Sequence, residues 1–91
     1  MSSLVKTESS VRSSVKRQSL KELVLYNDNV NTFDHVIDTL VKVCHHDPLQ
    51  AEQSAMIVHY KGKCTVKTDE LRVVKPMCLD LLEAGLSAKV H

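Results

Sequence analysis

Apolar residues recur at helical spacing through the middle of the chain. The clearest stripe falls at i, i+3, i+4, i+7, i+8 and i+11 and consists of Phe33, Val36, Ile37, Leu40, Val41 and Cys44. This spacing places all six on one face of an amphipathic helix. Asn31 is predicted as the N-cap, and Asp34 lies in the first turn, where the helix dipole favours a carboxylate. The pattern predicts a first helix that ends near His45.

A second helix is predicted after Asp47-Pro48, because Asp is a good N-cap and Pro suits the first helical position. Gly62 is a natural residue for its end, just after Tyr60. The apolar residues expected on its buried side are Leu49, Ala55, Met56, Ile57 and Val58.

A third helix is predicted over residues 69–84 and should end at Gly85. Pro76 lies within its pattern and should kink the helix or mark its true start. The residues expected to face inward are Leu71, Val74, Leu79 and Leu82.

Three short β-favouring segments surround these helices, at residues 20–26, 64–68 and 86–90. The predicted order is therefore β-α-α-β-α-β. It indicates an α+β fold, a small sandwich with three helices on a three-stranded antiparallel sheet.

Composition divides the chain into an extension, residues 1–19, and a core domain, residues 20–91. The extension holds seven Ser and has a net charge of +3, from four basic residues and one acidic residue. It has too few aliphatic residues to fold alone, so we predict a flexible extension. The core domain has eight basic and ten acidic residues, which gives −2. This balance offers no electrostatic case for nucleic acid as a partner.

The sequence gives no indication of a membrane segment or a secretory signal, because no apolar run reaches the required length. Cys44, Cys64 and Cys78 are an odd set without a CxxC motif. Their spacing favours three reduced, partly buried thiols. We therefore expect a cytoplasmic protein.

Residues suited to bond-making chemistry are not grouped in the sequence. It has no nucleophile elbow and no P-loop, and the prediction is that the chain is not an enzyme. Cys44-His45-His46 with Asp47 invites a metal interpretation, but no second cluster completes a zinc set. We predict no metal and no cofactor, and elemental analysis would test the alternative of a small metal-binding protein.

Two polar features are candidates for ligand binding. Asn27, Asp28 and Asn29 could offer oxygen atoms to a ligand ammonium, or could simply form an Asx-type turn that caps the first helix. His59 could accept a hydrogen bond through a neutral ring nitrogen, or could be a half-buried helix residue. Beside them, a possible apolar pocket, or ordinary core, is formed by Phe33, Val36, Ala55 and Val58.

Together these residues resemble the ClpS family, the adaptor of the ATP-dependent Clp protease. The resemblance covers about residues 20–91. It is carried by Tyr26-Asn27-Asp28, Phe33, Val36-Ile37-Asp38, Val58-His59-Tyr60-Lys61-Gly62-Lys63, Thr68-Asp69-Glu70 and Lys75. ClpS-like proteins share a fold with the C-terminal domain of the ribosomal stalk protein. They bind substrates whose free first residue is Leu, Phe, Tyr or Trp (N-degrons), and they deliver these substrates to an AAA+ unfoldase.

The resemblance also implies roles for individual residues. Asn27, Asn29 and His59 would bind the substrate α-amino group. The side-chain pocket would be formed by Asp28, Asn31, Phe33, Val36, Ala55, Val58 and Ala88. Contacts to the N-terminal domain of the unfoldase would be made by Glu70 and Lys75, and residues 1–19 would engage the unfoldase during delivery.

Three positions depart from the usual family pattern. Asn29 replaces an Asp and removes a negative charge from the turn, while Phe33 and Ala55 replace two Met residues and reshape the pocket. The competing hypothesis is a ribosome-associated interaction domain of the same fold, which would not need Asn27 and His59 together and would not bind peptides.

Overall fold

The computed structural model describes residues 19–91, so the predicted extension lies outside the described residues except for Ser19. The elements are β1 (Leu20–Tyr26), α1 (Phe33–Val43), α2 (Pro48–Lys61), β2 (Lys63–Glu70), α3 (Leu71–Glu83) and β3 (Ser87–Val90). This order confirms the predicted β-α-α-β-α-β arrangement and the α+β class.

The three strands form one antiparallel sheet in the order β2-β1-β3. β1 is central, and its residue Leu25 lies opposite Cys64 on β2 and Ala88 on β3. Leu23 and Leu25 are fully buried because both edges of β1 are paired and helices cover it. The central strand ends at Tyr26, and the loop that follows it carries the polar turn.

The start of α1 differs from the prediction by one residue. The N-cap is Thr32, whose Oγ1 accepts a hydrogen bond from the His35 backbone N–H at 3.1 Å, so the prediction of Asn31 is wrong. The Asn31 side chain is instead bonded to Asp28 and to the Gly85 carbonyl. A threonine hydroxyl one residue later satisfies the free N–H group at the start of the helix.

Both predicted ends of α2 are confirmed. The Asp47 carboxylate accepts a hydrogen bond from the Gln50 N–H at 2.8 Å, and Pro48 occupies the first turn. Gly62 ends the helix with φ +91°, a left-handed conformation that a residue without a Cβ adopts at low cost.

The predicted buried side of α2 is only partly correct. Ala55 and Val58 are buried, but Leu49, Met56 and Ile57 are exposed. Small residues complete the buried face, namely Ala51 and Ser54. Because α2 carries apolar residues on opposite faces, spacing alone could not select the inner one.

The predicted inner face of α3 is wrong except for Val74. Leu71, Leu79 and Leu82 are exposed, Leu79 by 58%. The buried residues are Val74, Cys78 and Leu81, at i, i+4 and i+7. Pro76 lies inside the helix and does not mark its start.

Cys44, Cys64 and Cys78 are free thiols, as predicted. Burial raises the pKa of all three, that of Cys44 to about 11, so they are protonated and poorly nucleophilic at neutral pH. In the loop between α1 and α2, His46 is buried, and its Nε2 lies 2.6 Å from the Val66 carbonyl oxygen.

Within residues 19–91, no helix is long and apolar enough to cross a membrane.

Candidate functional site

A cavity of about 490 Å³ opens where β1 ends, beside the C-terminal half of α2. Its walls come from five parts of the chain, which are the end of β1, the following loop, α1, α2 and the residue before β3. The lining residues are Leu25, Tyr26, Asn27, Asp28, Asn29, Asn31, Phe33, Val36, Ala55, Val58, His59 and Leu86. Nine of them are residues that the sequence analysis assigned to amine binding or to the pocket.

The polar rim is fixed by a backbone hydrogen bond between distant segments. The Asn27 N–H donates to the Gly62 carbonyl at 2.9 Å. Because Gly62 ends α2 three residues after His59, this bond holds the start of the loop against the turn that carries His59. Both Asn27 and His59 are exposed and line the cavity.

Asp28 stabilises the loop through its own chain. Its Oδ1 accepts hydrogen bonds from the backbone N–H groups of Val30 at 2.9 Å and Asn31 at 2.8 Å, and its Oδ2 accepts one from Asn31 Nδ2 at 2.8 Å. The backbone bond from Asn31 is the main reason that the pKa of Asp28 is lowered. The Asx-turn interpretation is therefore confirmed for Asp28, although Thr32, not this turn, caps α1.

The side chains of Asn27, Asn29 and His59 remain available at the rim. Within residues 19–91, none of the three forms a side-chain hydrogen bond to another residue, while the His59 ring packs edge-on against Tyr60 at 5.1 Å between ring centroids. An amide oxygen and a neutral imidazole nitrogen are both hydrogen-bond acceptors. The rim can therefore accept hydrogen bonds from a ligand cation.

Apolar side chains form the walls below this rim. Ala55 and Val58 are buried on α2, and Val36 faces them from α1. Phe33 is 41% exposed at the first turn of α1, so it lies at the mouth of the cavity. Such a hole with few polar groups is the usual form of a binding site for an apolar group.

Comparison with known proteins identifies the family of this chain. A family model described as "ATP-dependent Clp protease adaptor protein ClpS" matches residues 16–89. The chain belongs to the ClpS family. Adaptor proteins named ClpS from Salmonella paratyphi B and Salmonella newport are each 39% identical over 70 residues. Each match covers 75% of this chain and 66% of the relative, slightly less than two thirds of its length.

A solved structure supports the fold independently. ClpS2 of Agrobacterium tumefaciens, bound to L-phenylalaninamide, superposes with a TM-score of 0.70 at 22% sequence identity. The match covers 80% of this chain and 95% of that protein. The arrangement of helices and sheet is therefore that of a ClpS protein.

Sequence reasoning missed three residues of the ClpS cavity. Leu25, Tyr26 and Leu86 line it together with the predicted set. Leu25 and Tyr26 directly precede the Asn27 turn, so their position next to it was a usable signal. Leu86 had no such signal, because only the packing of the α3–β3 turn brings it to the cavity.

Ala88 is the one pocket residue that the structure places elsewhere. It is buried on β3 opposite Leu25, and it lines a separate depression with Tyr26, Leu82 and Lys89. Ala88 lies on the same face of the sheet as Leu25, because directly paired residues of antiparallel strands share a face, but it packs in the buried core and does not line the ClpS cavity.

The two residues assigned to unfoldase contact lie outside the cavity, at the start of α3. The Glu70 carboxylate accepts a hydrogen bond from Arg72 Nε at 2.8 Å, and this bond is the main reason that the pKa of Arg72 is raised. Lys75 is exposed one turn further along the helix. Within residues 19–91, no three His, Cys, Asp or Glu side chains are grouped so that they could hold a metal ion.

Proposed function

We propose that this chain captures proteins by a free first residue that is Leu, Phe, Tyr or Trp, and delivers them to the AAA+ unfoldase of the Clp protease. One observation carries the proposal, namely that Asn27, Asn29 and His59 lie at the mouth of one cavity with apolar walls. A free chain terminus is the ligand that joins a cation to a large apolar side chain on the same carbon atom.

The rim supplies acceptors for the α-ammonium group. An ammonium has three N–H donors, and the two amide oxygens and the His59 ring can accept them. Hydrogen bonds to a charged group contribute about 1.5–3 kcal/mol each, which exceeds the contribution of neutral pairs. The Asp28 carboxylate already accepts three hydrogen bonds within the loop, so the acceptors at this rim without a partner among residues 19–91 belong to the amides of Asn27 and Asn29 and the His59 ring.

The cavity supplies the second half of the affinity. Burial of a Leu- or Phe-sized side chain against Val36, Ala55, Val58 and Leu86 contributes about 1.5–3 kcal/mol. A micromolar complex requires about 8 kcal/mol. The apolar contact alone falls well short of this value, and the amine contacts lose part of their contribution to the ordering of ligand and side chains, so binding should require both features in one ligand.

The ligand of the Agrobacterium ClpS2 structure is consistent with this proposal. L-Phenylalaninamide combines a free α-amine with a benzyl side chain and has no carboxylate. It is therefore the smallest compound with the chemistry of a chain that begins with Phe. The cavity volume of about 490 Å³ also falls within the usual range for ligand pockets.

The decisive test compares a Phe-initiated peptide with its acetylated form by calorimetric titration. Acetylation removes the positive charge and adds bulk while the side chain stays the same, so we expect binding of the free peptide only. Equal affinity for both forms would refute amine capture. An absence of binding to either would favour the ribosome-associated interaction domain of the same fold.

Delivery requires a surface for the N-terminal domain of the unfoldase, and we assign it to the start of α3. Glu70 and Lys75 offer both charges there, next to the exposed Leu71 and Leu79. The extension, residues 1–19, is proposed to engage the unfoldase during substrate transfer. We expect this transfer to occur in the cytoplasm.

Charge reversal tests the proposed surface at the start of α3. The variants Glu70→Lys and Lys75→Glu should weaken unfoldase binding and leave peptide affinity unchanged. Unchanged unfoldase binding in both variants would contradict this surface.

A further inference from the structure

The rim loop is tied to the rest of the domain on a second side, opposite Gly62. Asn31 Nδ2 donates hydrogen bonds to Asp28 Oδ2 and to the Gly85 carbonyl oxygen, each at 2.8 Å. An amide NH₂ group has two donors, so these bonds use both. The Asn31 amide nitrogen therefore has no N–H left to offer a ligand.

The partner turn, between α3 and β3, belongs to the cavity wall. Leu86 directly follows Gly85, is buried and lines the cavity. His35 makes a second link from the same side, because its Nε2 lies 2.9 Å from the Ala84 carbonyl oxygen. Gly85 has φ +90°, a conformation that favours glycine and lets the turn present its carbonyl to Asn31.

We infer that Asn31 is a positioning residue, which sets the separation between the polar rim at Asn27 and Asn29 and the apolar wall at Leu86 by joining Asp28 to Gly85. This inference rests on the proposed function. A ligand that binds through its amine and its side chain at once is sensitive to this separation. Asn31 would therefore govern which first residues fit, without itself contacting the amine.

Asparagine suits position 31 because its amide group can donate both hydrogen bonds, to Asp28 and to Gly85. An aspartate has the same shape, but it would place a carboxylate against the Asp28 carboxylate and against the Gly85 carbonyl. Neither bond could form with an ionised side chain, because it has no donor. Asn31→Asp is therefore an isosteric change that breaks the tie.

The experiment measures the affinity of the Asn31→Asp variant for peptides that begin with Leu, Phe, Trp or Ile and are otherwise identical. We expect affinity for the preferred peptide to fall about tenfold or more, which corresponds to about 1.4 kcal/mol, and discrimination between Leu and Ile to narrow. Thr32→Ala is the matched control, because it removes the neighbouring cap bond to His35 and leaves the tie intact. The Thr32→Ala variant should have a lower melting temperature, but its affinities for the four peptides should keep the same order and the same ratios. Unchanged discrimination in Asn31→Asp would overturn the inference.

A second variant separates the two bonds of Asn31. In the double variant Asp28→Asn with Asn31→Asp, the donor and acceptor are exchanged, so the bond within the loop can form again. The carboxylate at position 31 still cannot donate to Gly85. We expect the double variant to remain defective in discrimination. Full recovery would show that the tie to the α3–β3 turn is not needed.

Amide hydrogen exchange distinguishes failure of this inference from failure of the proposed function. If the unaltered protein binds none of the free peptides, the proposed function is wrong, and the tie is then judged by exchange alone. In Asn31→Asp we expect faster exchange at Val30 and Asn31, whose N–H groups bond to Asp28, and at Leu86, whose N–H bonds to the Leu81 carbonyl. Unchanged exchange at all three would overturn the positioning role.

Discussion

The backbone N–H of Asn27 donates a 2.9 Å hydrogen bond to the carbonyl of Gly62, and this bond joins the end of β1 to the end of α2. It brings the two halves of the predicted amine site to one place. Asn27 begins the rim loop, and His59 lies in the last turn of the helix that Gly62 terminates. The position of Asn27 relative to His59 therefore depends on the Gly62 carbonyl.

Substitution of Gly62 by Ala should destabilise the domain. A Cβ at this position would meet no atom within 4 Å, so the cost comes from the left-handed backbone conformation at φ +91°. That conformation costs a residue with a Cβ about 1–2 kcal/mol, and urea denaturation can measure the loss. Lys61→Ala, at the exposed preceding residue, is the control and should change stability little. Equal stability of Gly62→Ala and the unaltered protein would contradict this assignment of strain.

Asn29→Asp should tighten the binding of peptides with a free first residue. The change replaces an amide at the rim by a carboxylate, and a charge-assisted bond to the ammonium can contribute about 1.4 kcal/mol more, or about tenfold in affinity. The gain should shrink as salt is added. Gln53→Glu, which adds the same charge on an exposed part of α2 outside the cavity, should give little gain. Equal gains in both variants would mean that position 29 does not meet the amine.

Peptides that begin with Ile should bind about tenfold more weakly than peptides that begin with Leu, a difference of about 1.4 kcal/mol. Branching at Cβ adds bulk at the cavity mouth, where the Phe33 ring lies and is expected to limit the entrance. Phe33→Ala should narrow this difference by widening the entrance. Equal binding of Ile and Leu peptides to the unaltered protein would show that the entrance is already open. Competition binding with a labelled Leu peptide would measure both effects.

The stability of the domain should depend on the ionisation of Asp28. Its pKa is lowered in the folded protein, mainly by the hydrogen bond from the Asn31 N–H, so folding favours the charged form. This contribution is fully present above the ordinary aspartate pKa of about 3.9, and it is lost as the pH falls through the lower pKa of the folded state.

Asp28→Asn should therefore flatten the loss of stability on acidification below about pH 4. Urea denaturation at a series of pH values measures this slope. Asp38→Asn is the control for one lost carboxylate, because Asp38 forms only an exposed ion pair with Lys42 on α1 and does not touch the loop. A slope in Asp28→Asn as steep as in the unaltered protein would remove Asp28 from this role.

Local sequence determined the order of elements because each boundary carries its own chemical signal. Asp47-Pro48 starts α2 and Gly62 ends it through interactions within a few residues, so no distant contact is needed to predict them. The polar turn after Tyr26 was similarly readable, since an Asx turn forms between neighbours. The family resemblance then supplied the pairing of Asn27 with His59, which no local rule could have provided.

Tertiary packing decided which apolar face of each later helix is buried. α3 buries Val74, Cys78 and Leu81 and exposes Leu71 and Leu79, because the sheet accepts only one of two apolar stripes. The spacing of apolar residues identifies both stripes equally well, because it shows where these residues lie on the helix but not which of them will pack against the sheet. The same holds for the cavity. Leu86 lines it because the turn between α3 and β3 brings that residue to the end of β1, whereas Ala88, paired with Leu25, packs in the core.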